Sequence, residues 1–164
     1  MDRQEMSARA AIVSKILKHR EALQPLLAGV CDQARQRFDV PSAMVNLIDD
    51  NRQVTVAGSG QILDVIPRQK SFCNTTIRSD APLIVEDASE HAVFKDNPLV
   101  TGPPYIRFYA GMPLLFMREV RLGALCICDQ ERRHFSRGDI AELQELADQV
   151  ISEIARAQFP RVFR

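Results

Sequence analysis

The sequence lacks the marks of several common functional classes. Lys plus Arg and Asp plus Glu both number 21, so the formal net charge is zero and no long-range field favours nucleic acid or an anionic membrane. No Walker loop, Gly-x-Gly-x-x-Gly or His-Glu-x-x-His motif occurs, and seven glycines leave little room for a phosphate-binding loop. No apolar run approaches the roughly 18 residues that span a bilayer. We therefore expect neither a nucleic-acid nor a membrane partner.

Length and composition are those of a single globular domain. Of the 164 residues, 46% are hydrophobic and 26% charged, which excludes disorder, collagen and a disulfide scaffold. The segment MDRQEMSARA has no apolar stretch of the kind found in signal peptides, so we expect a cytoplasmic location. In that reducing compartment the four cysteines are expected to be free thiols.

Apolar periodicity predicts helices at both ends of the chain. Apolar residues at three- and four-residue steps predict helices over 5–23 and 26–38, with Pro25 in the first turn of the second. Near the C-terminus, Ser136 and Asp139 have the spacing of a capping box. The amphipathic helix that follows is expected to end at Pro160.

Between these helices the pattern changes to short strands. Residues 43–57 and 107–128 each predict a hairpin, the second with its tip at Arg118 and Glu119, and residues 82–85 predict a further strand. Residues 58–70 are interpreted as a loop and 71–78 as one or two helical turns. Residues 88–106 form an irregular crossover with a short helix near 91–95. This order predicts an α+β fold with helices on one face of an antiparallel sheet.

Four stretches of sequence carry a family resemblance. Residues 43–49 (AMVNLID), 67–77 (PRQKSFCNTTI), 94–115 and 120–129 (VRLGALCICD), followed by Arg132, Phe135 and Ser136, together resemble the GAF family of small-molecule sensor domains, in particular those of bacterial sensor kinases and diguanylate cyclases. The resemblance implies a GAF/PAS-like antiparallel sheet of five or six strands, N- and C-terminal helices packed on one face, and a ligand pocket under the crossover. It predicts an N-terminal helical extension over 1–25, a GAF domain over 26–157 and a tail over 158–164.

The same resemblance argues against a chromophore. Relatives of this type often have Cys-x-His where this chain has Cys73, Asn74 and Thr75. Bilin-binding GAF domains generally need the Cys-His pair. We therefore expect no bilin, no haem and no other cofactor.

The candidate ligand site lies in the crossover and on the segment before it. The mixture of aromatic, amide and guanidinium groups suits an apolar pocket with a few orienting polar groups. The alternative interpretation for Asn97 and Arg107 is that they form hydrogen bonds with buried carbonyls of the loop instead of binding a ligand. On the predicted strand, Arg107, Tyr109 and Gly111 share one face, which we expect to meet the ligand. The predicted ligand-binding residues are Phe72, Cys73, Phe94, Asn97, Tyr105, Arg107 and Tyr109.

The thiols and histidines predict neither a catalytic nor a metal site. Cys126 and Cys128 share a face of one strand, but residues two apart on a strand are poorly placed for a disulfide. Cys73 follows two cations at a helix start, which favours a lowered thiol pKa. The alternative interpretation is that its side chain only fills space in the roof of the pocket. The three histidines do not combine by spacing or shared face.

The sequence therefore predicts a non-catalytic sensory or regulatory domain. It binds an unidentified small molecule or a partner and signals through its terminal helices to an output domain or another protein. We expect a homodimer through these helices, because the apolar stripe of the first helix must be buried somewhere. Two alternatives are a cysteine-dependent enzyme of the free methionine-(R)-sulfoxide reductase type and a dimerisation module with a vestigial pocket.

Overall fold

The computed structural model describes residues 3–117 and 120–158. The predicted hairpin tip, Pro160 and residues 159–164 of the predicted tail lie outside the described residues. Two 3-10 turns, Arg68–Lys70 and Ala88–Glu90, accompany the regular elements. In chain order these are α1 (Arg3–Lys18), α2 (Arg20–Phe38), β1 (Ser42–Ile48), β2 (Arg52–Gly60), β3 (Val65–Pro67), α3 (Phe72–Thr76), β4 (Leu83–Val85), α4 (Pro98–Thr101), β5 (Phe108–Phe116), β6 (Val120–Asp129) and α5 (Arg137–Gln158).

Among the described residues, six strands form one antiparallel sheet in the order β3-β2-β1-β6-β5-β4. The two predicted hairpins are β1–β2 and β5–β6. They join in the middle of the sheet, where β1 pairs with β6 from Ser42 opposite Cys128 to Leu47 opposite Gly123. The predicted fold class, α+β with a five- to six-stranded antiparallel sheet, is confirmed.

Alternating side chains of the central strands serve two separate cores. All seven residues of β1 are buried, because Val45 and Leu47 pack against helices on one face while Met44 and Ile48 pack into a second cluster on the other. A strand covered on both faces gives an unbroken apolar run, which is what the sequence shows. The helix-side core contains residues of α1, α2 and α5, among them Val13, Ile16, Leu27, Cys31, Leu143, Val150 and Ile154.

The first two helices divide differently from the prediction. The predicted boundary lay at residues 23–26, but α1 ends at Lys18 and α2 begins at Arg20. His19 between them has φ −110° and ψ 17°, which breaks the helix. Pro25 therefore lies inside α2 rather than in its first turn, where it lacks the N–H that a helix would donate to the carbonyl of Glu21.

Helix α1 buries its apolar stripe within its own chain. Val13 and Ile16 are fully buried in the helix-side core, and Arg9 donates from Nη1 to the carbonyl of Ile48 at the end of β1. From the sequence we predicted that this stripe is buried against a second copy of the chain. The structure shows that no second copy is needed to cover it, so the homodimer remains a prediction without that support.

The connection between the hairpins also differs in part. Helix α3 and strand β4 lie where the sequence predicted them, but β3 falls inside the predicted loop. It is three residues long, ends at Pro67 and pairs only with β2, so it has little strand pattern to recognise. The helix predicted near 91–95 is wrong. Helical structure forms instead at Ala88–Glu90 and Pro98–Thr101, where Asp87 and Asn97 cap the chain.

The capping box at the start of α5 is confirmed. The amide of Asp139 donates to Ser136 Oγ at 3.1 Å, and the amide of Ser136 donates to Asp139 Oδ2 at 2.9 Å. Both bonds satisfy N–H groups that have no partner within the helix. The helix then buries Leu143, Val150 and Ile154 against the sheet.

We predict that Ser136→Ala lowers the free energy of unfolding by about 1 kcal/mol, because the amide of Asp139 loses its acceptor. Urea unfolding followed by circular dichroism measures the change. Ser136→Thr is the control, since it keeps the hydroxyl and should remain close to the wild type. Equal stability of the alanine and threonine variants would contradict the role of the cap.

Candidate functional site

A second hydrophobic cluster lies on the sheet face opposite α1, α2 and α5. Its floor is formed by β1, β5 and β6, and its roof by α3 and the crossover between β4 and β5. Aromatic rings fill much of the roof: Phe72 stacks on Phe94 with centroids 4.2 Å apart and lies 5.1 Å from the ring of Tyr109. The buried members are Met44, Ile48, Phe72, Cys73, Ile77, Val85, Ala88, Phe94, Leu99, Val100, Ile106, Tyr109, Ala124, Cys126 and Cys128.

Two adjoining cavities penetrate this cluster. The inner cavity has a volume of about 20 Å³ and is lined by groups that include Asn46, Gln53, Phe72, Cys73, Tyr109 and Cys126. The outer cavity, about 80 Å³, lies between residues 61–63 and the segment from Pro104 to Ile106. Met44, Leu63, Ile106 and Cys128 line both. The inner cavity has room for about one water molecule.

Asn46 is the polar centre of the inner cavity. It is 1% exposed, and Thr55 donates from Oγ1 to Asn46 Oδ1 at 2.7 Å. That bond turns the amide nitrogen toward the thiols, and Nδ2 donates to Cys73 Sγ at 3.5 Å and to Cys126 Sγ at 3.4 Å. A single buried amide thus joins the roof helix α3 to the central strands β1 and β6.

Tyr109 makes a second link between the roof and the sheet. Its hydroxyl lies 3.2 Å from Cys73 Sγ and 2.8 Å from Thr76 Oγ1. Burial raises the pKa of the Tyr109 phenol, so the group stays protonated and can donate. Hydrogen bonding from Cys126, and then from Tyr109 and Asn46, lowers the pKa of the Cys73 thiol despite its burial. Contact with Cys128 and with Cys73 raises the pKa of the Cys126 thiol.

The start of α3 is fixed to strand β2. Ser71 accepts from the amide of Asn74 as N-cap and donates from Oγ to Gln53 Oε1 at 2.5 Å. The Asn74 side chain, at the position where relatives often have histidine, accepts from Arg68 Nε at 2.6 Å. Asn74 lines neither cavity. In this chain the residue holds the turn before α3 rather than facing the pocket.

The predicted ligand-binding residues fall into two groups. Phe72, Cys73 and Tyr109 line the inner cavity, and Phe94 closes the roof through its stacking on Phe72. The structure therefore brings together four of the predicted residues from three separate segments of the chain.

The other three predicted residues line neither cavity. Asn97 caps α4, accepting from the amide of Leu99 at 2.8 Å and donating to the carbonyl of Lys70 at 3.2 Å. Arg107 donates from Nη1 to the carbonyls of Val100 and Ile106. Tyr105 is 49% exposed with φ 59°. Asn97 and Arg107 therefore form hydrogen bonds with loop carbonyls and amides. This is the alternative to ligand binding that the sequence left open.

The sequence did not single out Asn46, Gln53 or Thr76, which supply most of the polar lining and its contacts. Asn46 did carry a signal, because it is the one polar residue inside the apolar run AMVNLI. A polar residue at the centre of a buried strand must find partners. Gln53 and Thr76 carry no comparable signal.

We predict that Asn97→Ala lowers the free energy of unfolding by about 1 kcal/mol, because α4 loses its cap and the roof loses a bond to Lys70. Asn97→Asp is the matched control. It keeps the capping oxygen, loses the donor and should be the milder change. Thermal unfolding checks both, and no loss in the alanine variant would show that the cap contributes nothing.

A sequence model of the GAF domain matches residues 22–154. The chain belongs to the GAF domain family. Solved structures agree with this fold. The GAF domain of Thermosynechococcus elongatus PixJ, in its blue-light absorbing form, has a TM-score of 0.70 at 18% identity, covering 90% of this chain and 92% of that one. A type II free methionine-R-sulfoxide reductase of Thermoplasma acidophilum has a TM-score of 0.69 at 14% identity, covering 84% and 95%.

A curated relative corrects one expectation from the sequence. A protein of Pseudomonas aeruginosa is 34% identical to this GAF domain over 148 residues, which are 90% of this chain and 25% of that protein. It is named a cyclic di-GMP phosphodiesterase. The prediction of a non-enzyme is therefore wrong, since this relative is an enzyme. This chain spans about a quarter of the relative's length.

Two further sequence expectations concern membranes and metals. Within residues 3–117 and 120–158, no helix combines the length and apolarity needed to cross a bilayer. The same residues hold no group of three or more His, Cys, Asp or Glu side chains placed to bind a metal ion.

Proposed function

We propose that this GAF domain is a sensor whose second core admits a small molecule between the sheet and the roof formed by α3 and the crossover. The observation that supports it most strongly is the polar lining of that core. Asn46, Gln53 and Thr76 are all nearly or fully buried there beside two adjoining cavities. A core built only for stability has little need of such groups.

In this proposal the structure is the closed form of the sensor. Pockets for small organic ligands have volumes of roughly 300–1,000 Å³, far more than the inner cavity offers. Entry of a ligand therefore requires the stacked rings of Phe72 and Phe94 to separate from Tyr109. The ligand shifts this equilibrium by no more than the difference between its affinities for the open and closed forms.

Strand β6 offers the route from the pocket to the terminal helices. Cys126 faces the inner cavity, while Leu125 and Ile127, its neighbours in sequence, belong to the helix-side core. Helices α1 and α5 both pack on β6. A ligand that displaces β6 by a fraction of an ångström changes the surface on which both helices rest.

We further propose that the output of this sensor is an enzymatic activity of the class named for the Pseudomonas aeruginosa relative, the breakdown of cyclic di-GMP. The 34% identity over 148 residues supports this link. In this proposal the GAF domain sets the level of that activity according to the occupancy of its pocket.

Native mass spectrometry and thermal unfolding of the reduced protein test the sensor. The probes are free amino acids, cyclic mononucleotides and cyclic di-GMP. We expect one of these, or a molecule retained from the cell, to bind non-covalently and raise the melting temperature, with the rise lost in Tyr109→Ala. No bound mass and no shift with any probe would favour the vestigial-pocket alternative and overturn the sensor.

The homodimer through the terminal helices also stands as a proposal. Between α2 and α5 lies an open groove lined by Leu26, Gly29, Gln149 and Arg156, and Leu26 is 52% exposed. We predict that Leu26→Glu converts the dimer to a monomer in light scattering. Val93→Glu is the control, because Val93 is 67% exposed on the crossover, far in sequence from the helices. An unchanged mass for Leu26→Glu would remove this groove from the interface.

A further inference from the structure

Three of the four cysteines form a row along the pocket. Cys128 lines both the outer and the inner cavity, and Cys126 and Cys73 line the inner cavity behind it. Cys126 makes thiol contacts with both of the others. The fourth, Cys31, lies in the helix-side core, where burial raises its pKa to about 12. The row therefore leads from the outer cavity to the roof helix α3.

Cys73 lies beside an amide, a hydroxyl and a second thiol, all of which carry protons. Asn46 Nδ2 donates to its sulfur at 3.5 Å, the Tyr109 hydroxyl lies 3.2 Å away, and hydrogen bonding with Cys126 lowers the pKa of the Cys73 thiol. Each of these three groups can donate a hydrogen bond to a thiolate on Cys73 Sγ and so stabilise its negative charge. Thiolates, not thiols, are the nucleophiles in cysteine chemistry. In this row Cys73 is thus the nucleophile, and Cys126 is the neighbour placed to react with it next.

We propose that the inner cavity is an oxidation site at which hydrogen peroxide links Cys73 and Cys126 in a disulfide. The proposal deepens the sensor function, because it names a small oxidant as an input to the same pocket. It stands on the shared amide of Asn46, which lies within 3.5 Å of both sulfurs, and on Cys128, which lines both this cavity and the adjoining outer cavity.

The chemistry proceeds in two balanced steps. The Cys73 thiolate attacks one oxygen of the peroxide, the O–O bond breaks, and the departing hydroxide takes up a proton as water, leaving a sulfenic acid on Cys73. Cys126 sulfur then attacks Cys73 sulfur, the S–O bond breaks and a second water leaves with the Cys126 proton. Overall two thiols are oxidised to one disulfide, and one peroxide is reduced to two waters.

Cavity size selects the oxidant. In the closed form a space of about 20 Å³ accepts a molecule not much larger than water, so hydrogen peroxide enters without opening of the roof, whereas an aryl hydroperoxide requires the open form. The product ties α3 to β6 and holds the roof on the sheet. Oxidation therefore locks the closed form, and larger ligands bind only after reduction.

Intact-mass analysis, thiol counting after denaturation and peptide mapping test the proposal on the whole protein. With hydrogen peroxide we expect the loss of two hydrogens in mass, two free thiols in place of four, and one disulfide joining Cys73 to Cys126. Cumene hydroperoxide and free methionine-(R)-sulfoxide at the same concentration should react at least tenfold more slowly. A disulfide between Cys126 and Cys128, oxidation of Cys31 at the same rate, or faster reaction with either bulky oxidant would overturn it.

Variants separate this chemistry from a general effect on folding. Cys31→Ser should leave the disulfide unchanged, and Cys73→Ser should abolish it. Tyr109→Phe keeps the ring, removes one donor to Cys73 and should slow disulfide formation roughly fivefold, the equivalent of one net hydrogen bond. An unchanged rate in Tyr109→Phe would contradict the role of Cys73 as nucleophile. Ligand binding is measured on the reduced protein, so failure of the disulfide and failure of the sensor are distinguishable.

Discussion

Gly123→Ala is expected to abolish the folded state or to cost more than about 3 kcal/mol, the upper end of the usual cost of overpacking. A Cβ at Gly123 would lie 1.9 Å from the carbonyl oxygen of Asn46 and 2.8 Å from the Cα of Leu47. Both are backbone atoms of β1, so neither can move without separating β1 from β6. These two strands join the hairpins, and the change therefore acts on the whole sheet.

Urea unfolding checks this result, and a second glycine provides the control. A Cβ at Gly29, on an exposed part of α2, would meet nothing within 4 Å. Gly29→Ala should therefore stabilise the protein by about 0.5–1 kcal/mol, since alanine restricts the unfolded chain and favours the helix. A soluble Gly123→Ala protein with wild-type stability would show that the register of β1 against β6 is wrong.

Phe72→Ala is expected to lower the free energy of unfolding by about 3–5 kcal/mol, the usual cost of removing a buried phenylalanine ring. Phe72 is 3% exposed and contacts the rings of Phe94 and Tyr109. Removal of its ring also enlarges the inner cavity beneath α3. We therefore expect a small apolar probe such as indole to raise the melting temperature of this variant and not that of the wild type.

Phe72→Leu is the matched control, because leucine refills most of the space. It should lose less stability and respond less to indole. If indole does not stabilise Phe72→Ala, the ring does not close a cavity that a ligand can enter, and the roof of the proposed pocket lies elsewhere.

Short-range sequence patterns predicted the helices and strands whose formation depends mainly on neighbouring residues. The two hairpins, β4, α3 and α5 follow from short apolar runs, turn residues and the capping pair Ser136 and Asp139. The break at His19 did not follow, because the apolar spacing continues across it. The burial of α1 also depends on the sheet surface that it covers, which its own sequence does not describe.

The crossover was the hardest segment to predict. Its turns depend on single capping contacts at Asp87 and Asn97 and on the hydrogen bonds of Arg107, not on any repeating pattern. The same holds for the candidate site, since the contacts of Asn46 with Cys73 and Cys126 join residues 27 and 80 positions apart. The resemblance to the GAF family predicted a pocket under the crossover, but only the three-dimensional arrangement showed which polar groups line the cavities there.

Hydrogen–deuterium exchange of the reduced wild-type protein tests most directly whether the second core can open. We expect amides of α3 and of residues 98–106 to exchange through a local opening, well before those of the central strands β1 and β6, which require global unfolding. We also expect oxidation by hydrogen peroxide to slow exchange in α3. Exchange of the roof and the central strands at one common rate would contradict the account, because the pocket would then open only when the whole domain unfolds.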